Sequence, residues 1–148
     1  MSTQTYTVQQ IEFATPEYDE MVRLRYDILR KPLGREFTEE QLAAEYTDAL
    51  FGIYDTQNHL LGCLIMTPKN ADVVKMRQVA VAQNAQGRGI GGEMVRAVEK
   101  WSKHKNFKII ELNARDVAVS FYKNLGYSVE GEPFEEVGIP HSYMRKVL

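Results

Sequence analysis

Cysteine is almost absent from this chain, tryptophan and histidine are scarce, and neither sign of charge prevails, with 18 Lys and Arg against 20 Asp and Glu. The lone Cys63 excludes an intrachain disulfide framework. Its apolar setting, Leu60-Leu61-Gly62-Cys63-Leu64-Ile65-Met66, marks a buried strand thiol rather than a nucleophile. No apolar run approaches the roughly 18 residues of a membrane span, and no basic segment leads into an apolar one at the N-terminus. No membrane association and a cytoplasmic location are therefore expected. A formal net charge of -2 does not suit a general nucleic-acid binder, which concentrates Lys and Arg to neutralise phosphate. The lysines from Lys100 to Lys108 read as the wet end of a helix entering a strand. With 148 residues the chain closes one hydrophobic core and is short for two, so one domain spanning 1–148 is expected.

Periodicity then orders the elements. Thr5 to Phe13 alternates as a half-buried strand, and Pro16 opens a helical pattern from Glu17 to Arg30 that Pro32 and Gly34 stop. Arg25, Arg30 and Lys31 on this helix fit an acidic acceptor or, more simply, a solvated face. Thr38-Glu39-Glu40-Gln41 has the form of a capping box for a short helix ending near Tyr46. Ala49 to Tyr54 and Leu60 to Met66 make an antiparallel hairpin around the turn formers Asp55 to His59. Val73 to Ala82 is a further strand, Gly92 to His104 an amphipathic helix, and Phe107 to Leu112 a short strand ending at Asn113. A helix from Arg115 to Leu125 stops at Gly126, and Tyr127 to Val129 and Ser142 to Val147 close the chain as strands. The layout is mixed α/β.

Between the strand and the amphipathic helix stands Gln86-Gly87-Arg88-Gly89-Ile90-Gly91-Gly92. Glycines there let the chain turn with positive φ and aim several backbone N–H groups at one point, beside the positive end of a helix dipole and the cation of Arg88. Such a nest binds phosphate. The pattern also fits the dinucleotide fingerprint, with Glu111 as the acidic residue after the next strand, but an antiparallel hairpin precedes it and the remaining chain is short for a doubly wound sheet. A nucleoside triphosphate loop is excluded, since Glu93 follows Gly92 where Lys-Ser or Lys-Thr belongs.

Gln86-Gly87-Arg88-Gly89-Ile90-Gly91 also resembles the Q/R-x-x-G-x-G/A signature of the GNAT superfamily of acetyltransferases, with Val79-Ala80-Val81 similar to that family's fourth strand. A second landmark supports the first: Asn113-Ala114, Ala118 and Phe121-Tyr122-Lys123-Asn124-Leu125-Gly126-Tyr127 resemble the family's N-x(n)-A-x-x-F-Y-x-x-x-G-F/Y. The ending, Gly138-Ile139-Pro140-His141 included, is similar to the tail of a subgroup of small bacterial-type members.

The resemblance implies a mixed sheet with mostly antiparallel N-terminal strands, a central splay and helices on both faces. It implies acetyl-CoA as acyl donor, no metal, and an amine acceptor that is a small molecule or a peptide. Gln86, Gly87, Arg88, Gly89, Ile90, Gly91 and Gly92 would hold the pyrophosphate. Val79, Ala80 and Val81 would present main-chain groups to the pantetheine arm and thioester, and Asn113 would contact that arm or fix the crossing of the strands. Tyr122 is the general acid for the departing thiolate, its phenol staying protonated at neutral pH. Glu135, Glu136 and His141 are the candidate bases, beside a water chain. Glu-Glu on a surface loop and a Pro-His turn also fit solvation and structure alone. A non-catalytic CoA-binding module and a nucleotide-dependent oxidoreductase stay open as alternatives, and exposed strand edges near the C-terminus would allow a homodimer.

Overall fold

The computed structural model describes residues 5–148. Strand β1 (Thr7–Ile11) leads into helix α1 (Pro16–Arg25), which Thr15 caps by accepting from the Tyr18 N–H. The helix does not stop at Arg25: it widens into a π-turn over Tyr26–Arg30 and tightens into a 3₁₀ turn over Lys31–Leu33. Gly34 at φ 66° then ends it in a Schellman motif, Arg35 N–H bonding Arg30 O and Gly34 N–H bonding Lys31 O, both at 3.0 Å. The short helix α2 (Glu39–Ala43) has the expected capping box, Gln41 N–H to Thr38 Oγ1 at 3.1 Å and Thr38 N–H to Gln41 Oε1 at 3.0 Å.

Strands β2 (Ala49–Tyr54), β3 (Leu60–Pro68) and β4 (Val73–Val81) form an antiparallel meander beside β1. Helix α3 (Ile90–His104) returns the chain to β5 (Ile109–Arg115), which pairs parallel with β4. After α4 (Val119–Asn124), the strands β6 (Ser128–Val129) and β7 (Phe134–Glu136) both pair with β8 (Ile139–Val147), itself antiparallel to β5. The sheet order is β1-β2-β3-β4-β5-β8-β6. Alternation along the strands sends residues to opposite faces. Phe51, Leu64, Met66, Met94 and Val98 pack on the face covered by α3, while Leu50, Cys63, Ile65, Met21 and Tyr18 pack under α1. Each of the fully buried aliphatic side chains of α3 removes enough apolar surface from water to stabilise the fold by about 1.5–3 kcal/mol.

The parallel pairing between β4 and β5 covers only Val73, Val74 and Lys75 against Ile109, Ile110 and Glu111. Beyond that point the strands part, which is the expected central splay. A bulge accompanies it: Cys63 faces Ala80 and Ile65 faces Arg77, so Leu64 alone stands across from Gln78 and Val79, with Gln78 at φ 52°.

Several boundaries differ from the sequence reading. The first helix keeps α geometry only to Arg25, and the later helix begins at Val119 after a 3₁₀ turn over Asp116–Ala118. Strand β5 runs past Asn113 to Arg115, and β8 starts at Ile139. Glu135 and Glu136 lie in a strand, not in a loop, because β8 begins early enough to pair with them. Arg25 is no solvated residue: it is fully buried.

Candidate active site

Where β4 and β5 separate, the sheet opens into a cleft of about 380 Å³. Val79, Asn113, Ala118 and Tyr122 line it, with Glu136 and His141 on the far side and Leu29, Arg30 and Arg35 at the rim. Val79 pairs with no residue of β5, and the bulge takes it out of register with β3. Past Lys75 the edge of β4 that faces β5 is unpaired, as a free strand edge is. Ala80 is buried under α1 and absent from the lining, so only its main chain can serve the cleft.

The glycine turn follows directly. Gly87 and Gly89 take φ 82° and 76°, conformations that L side chains rarely adopt, and Gly89 is the N-cap of α3 with no side-chain cap. The first ladder bond is Glu93 N–H to Gly89 O at 3.1 Å, which leaves the N–H groups of Ile90, Gly91 and Gly92 outside the helix ladder. Gln86 closes the turn on the strand end, its side-chain amide donating to Val81 O at 3.1 Å. Arg88 is less mobile than its setting suggests: its guanidinium donates to Asn84 O at 2.6 Å. Gly91 matters for a second reason, since a Cβ there would lie 3.2 Å from the Phe121 ring, which closes over the helix start.

Tyr122 projects from α4 between Phe121 and Tyr127, ring centroids 4.9 and 5.8 Å away. Its hydroxyl makes no hydrogen bond among the described residues. It is not sealed off either, since no buried side-chain oxygen or nitrogen lacks a partner. Burial pushes the phenol up to about 12, so it stays protonated across the neutral range. Tyr127, by contrast, is engaged, donating to Glu99 Oε2 at 2.9 Å.

On the opposite wall, β8 brings His141 level with Arg115 and Tyr143 level with Asn113. His141 is buried, stacked on Phe134 at 5.9 Å, and its Nδ1 lies 2.8 Å from Ile139 O. A carbonyl only accepts, so Nδ1 carries a proton, and Nε2 faces Glu136, whose Oε2 is 3.5 Å away. Glu111, the acidic residue that a dinucleotide ribose would need, is occupied by the Tyr143 hydroxyl at 2.5 Å and Lys69 Nζ at 3.2 Å. The glycine turn does lie in a parallel β4-α3-β5 unit, and it is the splay and the antiparallel strands on either side that separate this sheet from a doubly wound one.

Beneath the rim runs a buried polar network that periodicity does not disclose. Arg25 forms a bidentate pair with Glu45 at 2.6 and 2.9 Å, Tyr18 donates to Glu45 at 2.7 Å, and Arg25 Nε donates to Gln78 Oε1 at 3.1 Å. The network thereby holds the bulged residue of β4. Burial also pushes the Cys63 thiol up to about 12, in keeping with an unreactive strand cysteine. Among the described residues no cluster suited to a metal ion occurs, and no helix is long and apolar enough to cross a membrane.

The sequence profile of the acetyltransferase (GNAT) domain matches residues 3–148. The uncharacterized protein YyaT of Bacillus subtilis (strain 168) is 26% identical over 123 residues, 76% of this chain and 82% of that one. The uncharacterized N-acetyltransferase YjcF of the same organism is 37% identical over 73 residues, 49% of this chain and 52% of that one. Among solved structures, a GNAT family acetyltransferase from Elizabethkingia anophelis with acetyl-CoA bound superposes with a TM-score of 0.74 at 21% identity, covering 97% of this chain and 98% of the other.

Proposed function

The chain belongs to the GNAT acetyltransferase family, and from that premise we propose that it transfers the acetyl group of acetyl-CoA to a primary amine in the cleft between β4 and β5, as one catalytic domain over 1–148. The observation that carries this reading is Tyr122 in the lining of the cleft, its hydroxyl without a hydrogen bond among the described residues. Acetyl-CoA supplies an activated thioester.

The N–H groups of Ile90, Gly91 and Gly92, with the turn at Gly87 and Gly89, hold its pyrophosphate. Arg88, tied to the turn, adds positive charge there. The unpaired main chain around Val79 receives the pantetheine arm and offers an N–H to the oxyanion that forms as the amine attacks the carbonyl carbon. Val81 ends this edge, and Asn113 lines the opposite wall. His141 Nε2 takes the proton the amine gives up, and Glu136 steadies the imidazolium and attracts the incoming ammonium. Tyr122 donates its proton to the departing sulfur and recovers one from solvent. Its elevated proton affinity keeps the phenol loaded with a proton through the neutral range.

A cytoplasmic location and a homodimer through the β6–β7 edge belong to the same reading. The test is a thermal melt with millimolar acetyl-CoA or NADP in parallel. Stabilisation by acetyl-CoA alone is expected, and stabilisation by the dinucleotide alone would favour the oxidoreductase.

A further inference from the structure

The cleft does not share the charge balance of the chain. Five cationic side chains, Arg30, Arg35, Lys75, Arg77 and Arg115, line it against a single carboxylate, Glu136, although the chain as a whole carries -2. The fold puts them there by separate means. The Schellman motif that ends the first helix sets Arg35 beside Arg30. The splay leaves Arg77 and Arg115 on strands that no longer pair with each other. Arg115 ties that end of β5 to the rim by donating to Leu29 O at 3.4 Å.

Few of these charges are answered within the protein. Arg77 has Asp48 at 3.7 Å. Arg30, Arg35 and Arg115 take part in none of the ion pairs of the described residues. Arg30 lies 4.4 Å over the Phe37 ring, which braces the guanidinium without neutralising it. Burial, then the neighbouring Arg35 and Arg25, lower its affinity for its own proton, against a smaller opposing pull from Glu45, the carboxylate that Arg25 already pairs. The donor's phosphates are not that counter-ion on the reading above, because none of the residues from Gln86 to Gly92 lines this cleft.

We propose that the acceptor is a small amine bearing its own anionic group, a carboxylate or a phosphate, which Arg30, Arg35 and Arg115 hold while its amine faces His141 and Glu136. The proposal rests on the acyl-transfer reading of this cleft. Guanidinium groups suit both anions, which they bind through paired N–H donors. The same cations disfavour the ammonium form of the acceptor, so a larger share of the bound amine is the neutral nucleophile. Polycationic amines are repelled by this field.

Matched pairs of amines separate the outcomes: aspartate against asparagine, phosphoethanolamine against ethanolamine, glucosamine 6-phosphate against glucosamine, with spermidine and an aminoglycoside as cationic members. Thiol release from acetyl-CoA is followed with each, and acetyl-CoA binding is measured by calorimetry. In at least one pair the anionic member should exceed its neutral partner by roughly 100-fold in kcat/KM, and the pair that responds tells carboxylate from phosphate. Exposed Arg35 gives the variant least prone to misfold. Arg35→Ala should raise the acceptor KM about tenfold, with Arg35→Lys recovering part of the loss and acetyl-CoA affinity unchanged. Preference for neutral or cationic amines, binding of acetyl-CoA with turnover of none of the anionic amines, or a change in acetyl-CoA affinity in place of acceptor KM would each overturn the proposal. Failure to bind acetyl-CoA at all would instead remove the acyl-transfer reading, and this one with it.

Discussion

The groups proposed for the donor are main-chain ones: N–H groups freed by the turn at Gly87 and Gly89 that follows β4, and the edge of β4 left unpaired by the splay. Those proposed for the acceptor are side chains, His141, Glu136, Arg30, Arg35 and Arg115, delivered by the first helix and the turn that ends it, β5, β7 and β8. Each half therefore fails in its own way. A main-chain site is lost by changing backbone geometry and survives most side-chain truncations. A site made of side chains is lost one residue at a time.

The largest effect should come from the network that joins the two halves. Arg25→Ala leaves Glu45 buried without its bidentate partner and releases Gln78, so a loss of about 3–5 kcal/mol is expected in denaturant unfolding. Arg25→Ala combined with Glu45→Ala should recover part of that loss, and a double variant no better than the single one would argue that the pair contributes little. On the acceptor side, His141→Gln keeps a polar group at the site and removes the basic nitrogen. It should lower kcat/KM roughly 100-fold, about 2.7 kcal/mol, with acetyl-CoA affinity unaltered in calorimetry. On the donor side, Gly89→Ala forces a side chain into φ 76°. A stability loss of about 1 kcal/mol and a tenfold weaker acetyl-CoA affinity are expected, with acceptor KM unchanged at saturating donor. If Gly89→Ala instead changed acceptor KM alone, the division of the cleft into two halves would fail.

The smallest effect concerns pH. The folded-state affinity of Tyr122 for its proton is raised to about 12 from an ordinary 10. The neutral phenol's contribution to stability is therefore complete below about pH 10 and declines as pH rises from there through 12, where the unfolded chain ionises first. Below pH 10 the rate profile should show no alkaline fall from this group. A fall near pH 8 or 9 that disappears in Tyr122→Phe would contradict the assignment.

The same contrast explains what the sequence disclosed. A turn that needs consecutive residues of permissive φ is written as Gly87, Gly89 and their neighbours in one short segment. The capping box at Thr38 and the amphipathic helix ending at His104 are local in the same way. The acceptor wall is not local. Arg30 and Arg115 meet only because the sheet order brings the end of β5 under the first helix, and 86 residues separate the bonded Leu29 and Arg115. In the sequence Arg25 is one more charge on a helix face, since its partner Glu45 lies 20 residues on. The π-turn over Tyr26–Arg30 hid the rim as well, because an i to i+5 turn breaks the 3.6-residue phase from which a face is read. Glu136 reads as a loop residue for a related reason: β7 is three residues long, too short for alternation to register.

The central claim is that this cleft holds a thioester and that Tyr122 protonates its sulfur. Tyr122→Phe tests it most directly, because the substitution removes one oxygen and leaves the ring between Phe121 and Tyr127. Acetyl-CoA should bind the variant with an affinity within about twofold of the wild type by calorimetry, while kcat for acetyl transfer falls by roughly 100-fold or more. Unchanged turnover in the variant, or loss of acetyl-CoA binding with the fold intact, would contradict the account.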